Sequence, residues 1–339
     1  MIISRFAPAP TGFLHLGHVL NALHVWGVTR AVGGRVRLRI EDHDRQRSRM
    51  EYERAILDDL DWLGFVPDDP TTDAFRAGAS QGRQRDRHDV YAAALARLCA
   101  DGVLYACECS RRERRVVMVA ASGGTDPDGE LRYDGRCSAK GLEWRDGRAI
   151  RARLAESVER FDDLRHGAQE QRPSEQCGDL LVKDRDGNWT YQFAVTVDDM
   201  EQGVTLVIRG DDLLASTGRQ RQLARLLGRP EPPRFLHHAL IMKSATRKLS
   251  KADQDTSVRE MREAGCSVAD VIGRAMHAAG FADSDRPMAR EEGEARVAER
   301  YEGALRTSGG HSSSLCTVSG ENACVHTATY SAPSSSGVL

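Results

Sequence analysis

Two short stretches of this chain carry side chains spaced for phosphate chemistry. The first is Pro10-Thr11-Gly12-Phe13-Leu14-His15-Leu16-Gly17-His18. It falls between a short apolar strand, Ile2–Ala7, and a helix expected over His18–Ala31. A helix N-terminus offers unpaired N–H groups and the positive end of a dipole, which suits an anion. Gly17 lets a ligand approach the backbone, and His15 and His18 add donors beside it. Taken alone, H-x-G-H also suits a plain capping turn. The second stretch is Lys248-Leu249-Ser250-Lys251, after a strand expected over 235–241. Two Lys around a Ser can grip triphosphate oxygens as point charges, and a loop can close on them as charge redistributes in a transition state. Of 48 basic residues only five are Lys, and three of these fall within 243–251. Solvated loop lysines are the plainer reading of that cluster.

The cysteines are a third signal. There are eight, at 99, 107, 109, 137, 177, 266, 316 and 324. MIISRFAPAP has no basic stretch followed by an apolar run, so no secretory signal and no disulfide framework are expected. In an extended segment Cys107 and Cys109 point to the same side, and Asp134-Gly135 reads as a turn that folds Cys137 back. Three thiolates and a fourth donor suit a tetrahedral zinc site; buried structural thiols are the alternative.

These groups need a scaffold. Residues 1–65 read as strand, turn, helix, strand and helix, with Val36–Ile40 delivering Glu41, Asp42 and Asp44 at a strand end. A βαβα opening implies a parallel, doubly wound α/β sheet. A helix is expected over 86–100, and an irregular insertion with short strands at 149–154 and 179–184 follows it. Strands are then expected at Thr190–Asp198 and Val204–Arg209, a helix near 215–228, and helices through 255–305. From Arg306 the chain is rich in Ser, Gly and Thr, and disorder is expected. The 339 residues hold no apolar run of membrane-spanning length, and the net charge of −2 argues against nucleic-acid binding by bulk charge.

Taken in order, these blocks resemble the class I aminoacyl-tRNA synthetases, and more narrowly their glutamyl group. The matching blocks are Arg5 to His18, Arg39-Ile40-Glu41-Asp42-His43-Asp44, Val197-Asp198-Asp199, Gly203-Val204-Thr205 and Val207 to Leu213, together spanning about 3–255. The resemblance implies a Rossmann-like catalytic domain that joins glutamate to ATP, with Mg2+, giving glutamyl-adenylate and pyrophosphate. It implies that His15, Gly17 and His18 hold ATP phosphates, and that Lys248, Ser250 and Lys251 hold the departing pyrophosphate. It assigns Arg5, Ala7, Glu41, Tyr191 and Arg209 to L-glutamate. From the residues alone, Arg5 and Arg209 suit a carboxylate and Glu41 an ammonium at strand ends, with ordinary ion pairs as the alternative. Ala9 stands where the group usually has Ser, so one hydrogen bond to substrate is missing or made by water.

Within that group the chain resembles a truncated branch, the glutamyl-queuosine tRNA(Asp) synthetases. That branch carries C-x-C followed by Y-x3-C, which implies Cys107, Cys109, Tyr133 and Cys137 as ligands of one structural zinc ion. Cys99 or His88 could stand in for Tyr133. The 88 residues after Lys251 are too few for a full anticodon-binding region, and Val195 stands where full-length enzymes usually have Asn. The branch activates glutamate without tRNA and transfers it to queuosine at the wobble position of tRNA(Asp). Arg111, Arg112, Arg114 and Arg115 are candidate RNA contacts. The expected organisation is a first catalytic half over 1–103, a zinc-containing insertion over 104–185, a second catalytic half with the KLSK loop over 186–254, a helical part over 255–305 and a tail over 306–339. A cytoplasmic monomer is expected. The alternatives are a shortened enzyme charging tRNA(Glu), a ligase of the pantothenate synthetase kind, and a non-catalytic zinc protein that binds RNA.

Overall fold

The chain opens as a strand–helix–strand unit. β1 (Ile3–Phe6) leads through a Pro- and Gly-punctuated turn into α1 (Leu16–Ala31). β2 (Arg35–Leu38) returns parallel to β1, pairing Ile3 with Arg35 and Phe6 with Leu38. The computed structural model describes residues 1–110, 113, 132–244, 247–248 and 256–307. Gly33, at φ 66°, supplies the left-handed turn between α1 and β2. α2 (Met50–Leu63), α3 (Thr72–Arg76), a 3-10 turn at Gln84–Asp86 and α4 (His88–Ala100) complete the first part.

A second unit of the same kind lies downstream. β3 (Leu104–Cys107), β4 (Ala149–Ala152), β5 (Glu159–Asp163), β6 (Gly167–Gln171), the short α5 (Pro173–Gln176) and β7 (Leu180–Lys183) come first. α6 (Tyr191–Glu201), β8 (Leu206–Gly210), a 3-10 segment at Asp211–Ser216, α7 (Thr217–Leu226) and β9 (Arg234–His238) follow. β8 and β9 are parallel, with Arg209 opposite His237. The two units meet where the Thr205 amide donates to the Ile3 carbonyl at 2.9 Å and the Ile3 amide donates to Thr205 Oγ1 at 2.9 Å. The mixed α/β architecture with parallel pairing thus agrees with the sequence.

Two local features differ from expectation. Thr190–Asp198 was expected as a strand, but Tyr191–Glu201 is helical. Every residue from Gln192 to Asp199 is buried, so this helix has no polar face to reveal a 3.6-residue period, and its β-branched and aromatic residues mimic a strand. Second, β5 and β6 fall within the expected insertion 104–185, yet β5 pairs parallel with β9, giving the order β6-β5-β9-β8. The rest of that stretch forms a separate antiparallel sheet, β3-β4-β7.

β10 (Met242–Ser244) and β11 (Arg247–Lys248) pair antiparallel. α8 (Val258–Glu263), α9 (Val268–Ala278) and α10 (Arg290–Thr307) form the C-terminal helical part. α10 runs two residues into the region expected to be a disordered tail; 308–339 lie outside the described residues. Ser257 and Ser267 cap α8 and α9 through reciprocal bonds with Glu260 and Asp270. Val271, Ile272, Met276 and Tyr301 from these helices share one core with Phe6, Leu23, Trp26 and Leu38. A second core joins Tyr91, Phe193, Val197 and Leu223 to Leu104, Leu154, Leu180 and Val182 of the insertion. Among the described residues no helix is long and apolar enough to cross a membrane.

α10 sits directly on α1 at Gly27, where an added Cβ would lie 2.5 Å from the Glu294 carbonyl oxygen. Backbone cannot yield as a side-chain tip can. Gly27→Val is therefore expected to destabilise the fold by about 1–3 kcal/mol, read from the urea midpoint. An unchanged midpoint would show that α10 does not need this close seat.

Candidate functional site

A buried set of charges lies at the meeting of β1, β2 and α6. Asp198 and Asp199, in adjacent positions of α6, are both buried. Asp199 Oδ1 accepts from Arg5 Nε at 3.0 Å and from Arg39 Nη1 at 2.7 Å. Arg39, fully buried just past β2, also donates from Nη2 to Glu41 Oε1 at 3.0 Å. Asp198 accepts from Arg87 Nε at 2.7 Å, Gln84 Nε2 at 2.8 Å and the Tyr91 hydroxyl at 3.0 Å. Burial alone would raise the Asp199 pKa, but Arg5 and Arg39 overcome it and hold the group at about 2. Burial pulls the Arg39 pKa down, and Asp199, Glu41 and Asp198 more than reverse this.

Four of the five residues assigned to glutamate surround this set. Arg5 is pinned by Asp199 and by the Ile208 carbonyl at 3.1 Å, and Glu41 by Arg39. Tyr191 is half-buried in the first turn of α6. Burial first, then the Glu41 charge, pushes its hydroxyl up to about 12, against the opposing pull of Arg209 and Arg5. Ala7 follows directly on β1 and is half-buried. Arg209, buried at the end of β8, donates to His237 Nε2 at 2.9 Å, Gln220 Oε1 at 2.7 Å and Thr217 Oγ1 at 2.9 Å. His237 Nδ1 lies 2.7 Å from Asp163 Oδ2. Since Nε2 accepts from Arg209, the assigned tautomer carries its proton on Nδ1 and donates to Asp163. Burial lowers the His237 pKa to about 4, which keeps the ring neutral and able to accept.

The H-x-G-H segment is both a cap and a donor site. His15 is the N-cap of α1; its Nδ1 accepts from the Gly17 amide at 3.1 Å, and His18 Nδ1 accepts from the His15 amide at 3.2 Å. The rings lie 4.0 Å apart. With both Nδ1 atoms accepting, a neutral ring must carry its proton on Nε2 and present a donor there. Gly17 is required by this cap: a Cβ would come 2.9 Å from His15 Cε1. Lys248 ends β11, whereas Ser250 and Lys251 lie outside the described residues. Farther on, Ser257 bridges His15 and the Val258 amide donates to the Leu14 carbonyl at 2.8 Å, so the chain leaving β11 returns beside the start of α1.

Cys107, Cys109 and Cys137 form one group, their sulfurs all within 4.8 Å of one another. Cys109 and Cys137 sulfurs are 3.5 Å apart. Tyr133 Oη lies 3.4 Å from Cys107 Sγ and 3.9 Å from Cys109 Sγ. Tetrahedral zinc, with Zn–S of about 2.3 Å, needs sulfurs about 3.8 Å apart, so this donor set fits such an ion. Burial pushes the Cys109 thiol up to about 12 and raises the Tyr133 hydroxyl well above its ordinary value. A cation would have to displace those protons, as metal binding to thiols does. The segment is held by Gly178, at φ 66°, where a Cβ would run into the Tyr133 carbonyl at 1.9 Å. Cys99 is exposed, and neither it nor His88 joins the group among the described residues. Arg111, Arg112, Arg114 and Arg115 lie outside the described residues.

Arg39, Asp198, Asp199 and His237 were not singled out from the sequence as site residues. Arg39 and Glu41, two apart at a strand end, were the available clue to one of these pairings. Nothing local announces that His237 would meet Arg209 across two strands.

The chain matches the model of the class I tRNA synthetases (E and Q), catalytic domain, over residues 1–284. It is 39% identical over 285 residues to the glutamyl-Q tRNA(Asp) synthetase of Rhodobacter capsulatus, covering 80% of this chain and 98% of that protein. It is 40% identical over 301 residues to the protein of the same name from Symbiobacterium thermophilum, covering 86% of this chain and 91% of that one. Its structure is similar to that of the glutamate-tRNA synthetase of Elizabethkingia anophelis, with a TM-score of 0.69 and 25% identity over 91% of this chain and 70% of that one.

The Asp199 network makes a test of its own. A carboxylate held near 2, against about 3.9 unfolded, adds stability above pH 4 and loses it as pH falls through 2. Asp199→Asn leaves Arg5 and Arg39 buried beside a neutral group, so a loss of about 3–5 kcal/mol is expected at pH 7. The gap to the parent should narrow on acidification toward pH 2. Equal urea midpoints at pH 7 would refute the account.

Proposed function

We infer the function of this chain from the premise that it belongs to the class I tRNA synthetases (E and Q), and within them to the glutamyl-Q tRNA(Asp) synthetases. It is a ligase that activates L-glutamate with ATP and transfers the glutamyl group to queuosine in tRNA(Asp). The observation that carries this is the 39% identity to a protein of that name across 98% of its length.

In our reading the glutamate carboxylate attacks the α-phosphorus of ATP, the bond to pyrophosphate breaks, and AMP leaves when the glutamyl group passes to queuosine. Such chemistry is mostly positioning and charge stabilisation. Arg209 and Arg5 face the side-chain carboxylate of glutamate, and Glu41 faces its ammonium. Tyr191 and Ala7 bound the pocket. Each charged group is already fixed by its own partners, so little reorganisation is left for the moment of reaction. The Nε2–H groups of His15 and His18, with Gly17 at the N-terminus of α1, hold ATP phosphates. Lys248, Ser250 and Lys251 take the charge of the leaving pyrophosphate. Mg2+ accompanies ATP and neutralises its phosphates. Cys107, Cys109, Cys137 and Tyr133 would hold one structural zinc ion, which would crosslink β3 to the segment before β4. We place the enzyme in the cytoplasm as a monomer, with 1–103 and 186–254 as catalytic halves, 104–185 as the zinc insertion, 255–305 as the helical part and 306–339 as a tail.

A glutamate tRNA ligase fold also admits charging of tRNA(Glu), and the acceptor decides between the two. Purified protein is expected to catalyse glutamate-dependent pyrophosphate exchange without tRNA. It should glutamylate queuosine-containing tRNA(Asp), but neither tRNA(Asp) lacking queuosine nor tRNA(Glu). Charging of tRNA(Glu) alone would overturn the reading. For the metal, about one zinc per chain is expected by elemental analysis. Cys137→Ala should lose it and Tyr133→Phe should bind it more weakly. Full retention in both variants would reject the site.

A further inference from the structure

Trp144 is the one exposed Phe, Tyr or Trp side chain among the described residues, at 50% of its full accessibility. It lies on a loop between Gly141 and Gly147, both at positive φ. No ring and no cation packs on its indole among the described residues. The loop is nevertheless held in place: Arg148 Nη1 donates to the Glu143 carbonyl at 2.7 Å, and Arg185 Nε to the Gly147 carbonyl at 3.0 Å. An indole fixed on a pinned loop and left bare is a prepared stacking surface, because its ordering cost is already met by the fold.

Some surface arginines of this protein are neutralised: Arg30 by Asp68 at 2.8 Å, Arg160 by Glu170 at 3.0 Å, Arg296 by Glu292 at 2.8 Å. Arg145, Arg148 and Arg185 make no such ion pair among the described residues. Arg148 and Arg185 each place one donor on a backbone carbonyl, and neither forms a close carboxylate pair among the described residues. An exposed indole on a loop with three guanidiniums that hold no close carboxylate fits a polyanion that also carries π-faces, which is unpaired RNA. A protein partner would instead call for a wider apolar patch.

We propose that Trp144 stacks on an unpaired base of the anticodon arm of tRNA(Asp), with Arg145, Arg148 and Arg185 on the adjoining phosphates. This rests on the functional reading above, in which that arm is the substrate. It assigns the insertion a second task beside holding a metal, namely presenting an RNA-binding loop.

The test uses the full chain and a hairpin of the tRNA(Asp) anticodon arm carrying queuosine. Trp144→Ala is expected to weaken hairpin binding about tenfold or more and to raise KM for tRNA(Asp), leaving kcat at saturating tRNA intact. Trp144→Phe should restore most of the affinity, since a benzene ring still stacks. Arg145→Ala should reduce the slope of log affinity against log salt by about 0.7. Tyr133, Cys107 and glutamate-dependent pyrophosphate exchange should be untouched in all three variants, which separates lost contact from lost fold. Hairpin affinity of Trp144→Ala equal to the parent would overturn the proposal. Failure of the parent protein to glutamylate any tRNA(Asp) would overturn the functional reading instead, and the hairpin comparison would still decide the stacking.

Discussion

Two adjacent carboxylates, Asp198 and Asp199, are buried inside α6, and the rest of the molecule is arranged to neutralise them. A lone buried carboxylate is too costly to keep ionised; it needs paired charge and full hydrogen bonding. Here Arg5 comes from β1, Arg39 from the end of β2, and Arg87 from the N-cap of α4. Arg5 and Asp199 are 194 residues apart, and Arg39 and Asp199 are 160 apart. The pairings therefore lock the first strand–helix–strand unit onto the helix that precedes the second. They form the polar side of the same seam whose backbone side is Ile3 against Thr205.

That arrangement dissolves the choice between structural and functional readings of the charged residues. An ordinary ion pair was the plainer account of Arg5 and Glu41, and both do make one. The pairs orient the side chains without exhausting them. Arg39 consumes one oxygen of Glu41 and leaves a second, and Asp199 takes one edge of Arg5. The same holds at the helix start, where a capping turn was the plainer account of H-x-G-H. His15 and His18 spend Nδ1 on backbone amides, and that expenditure is what fixes a donor on Nε2. At Arg209 the relay through neutral His237 to Asp163 plays the orienting part.

What could be read from sequence follows from how local each signal is. β2 shows its period because alternate positions keep partial exposure, and α1, though buried throughout Ala22–Thr29, was legible from its spaced apolar residues and the Gly33-Gly34 stop. Cys107 and Cys109, two apart on one side of a strand end, needed only the Asp134-Gly135 turn to bring Cys137 to them. α6 was hidden because it is buried all round, and β5 because its parallel partner, β9, lies some 70 residues downstream and shares no local pattern with it. Asp198 and Asp199 entered the sequence reading only as part of a matching block, because acidic side chains are seldom buried and nothing local marks these two as core. Only the long-range arrival of three arginines makes them core.

α6 is also where the two modules are joined. Its carboxylates face Arg5, Arg39 and Arg87, while Phe193, Ala194 and Val197 on other sides pack with Leu104, Ala152, Leu180 and Val182 of the insertion sheet. Trp189, just ahead of the helix, stacks on Phe193 at 5.3 Å. Tyr191 occupies the first turn between these two sets of contacts. A helix buried on every side cannot rotate or slide without breaking either the ion network or the apolar core. The strand that carries Cys107 pairs with β4, and β4 with β7, so the cysteine module is continuous with that core through backbone hydrogen bonds. Its position is therefore set relative to Tyr191 by packing and by those backbone ladders. An RNA arm resting on the insertion would meet a surface already registered to Tyr191 and to the buried ion network.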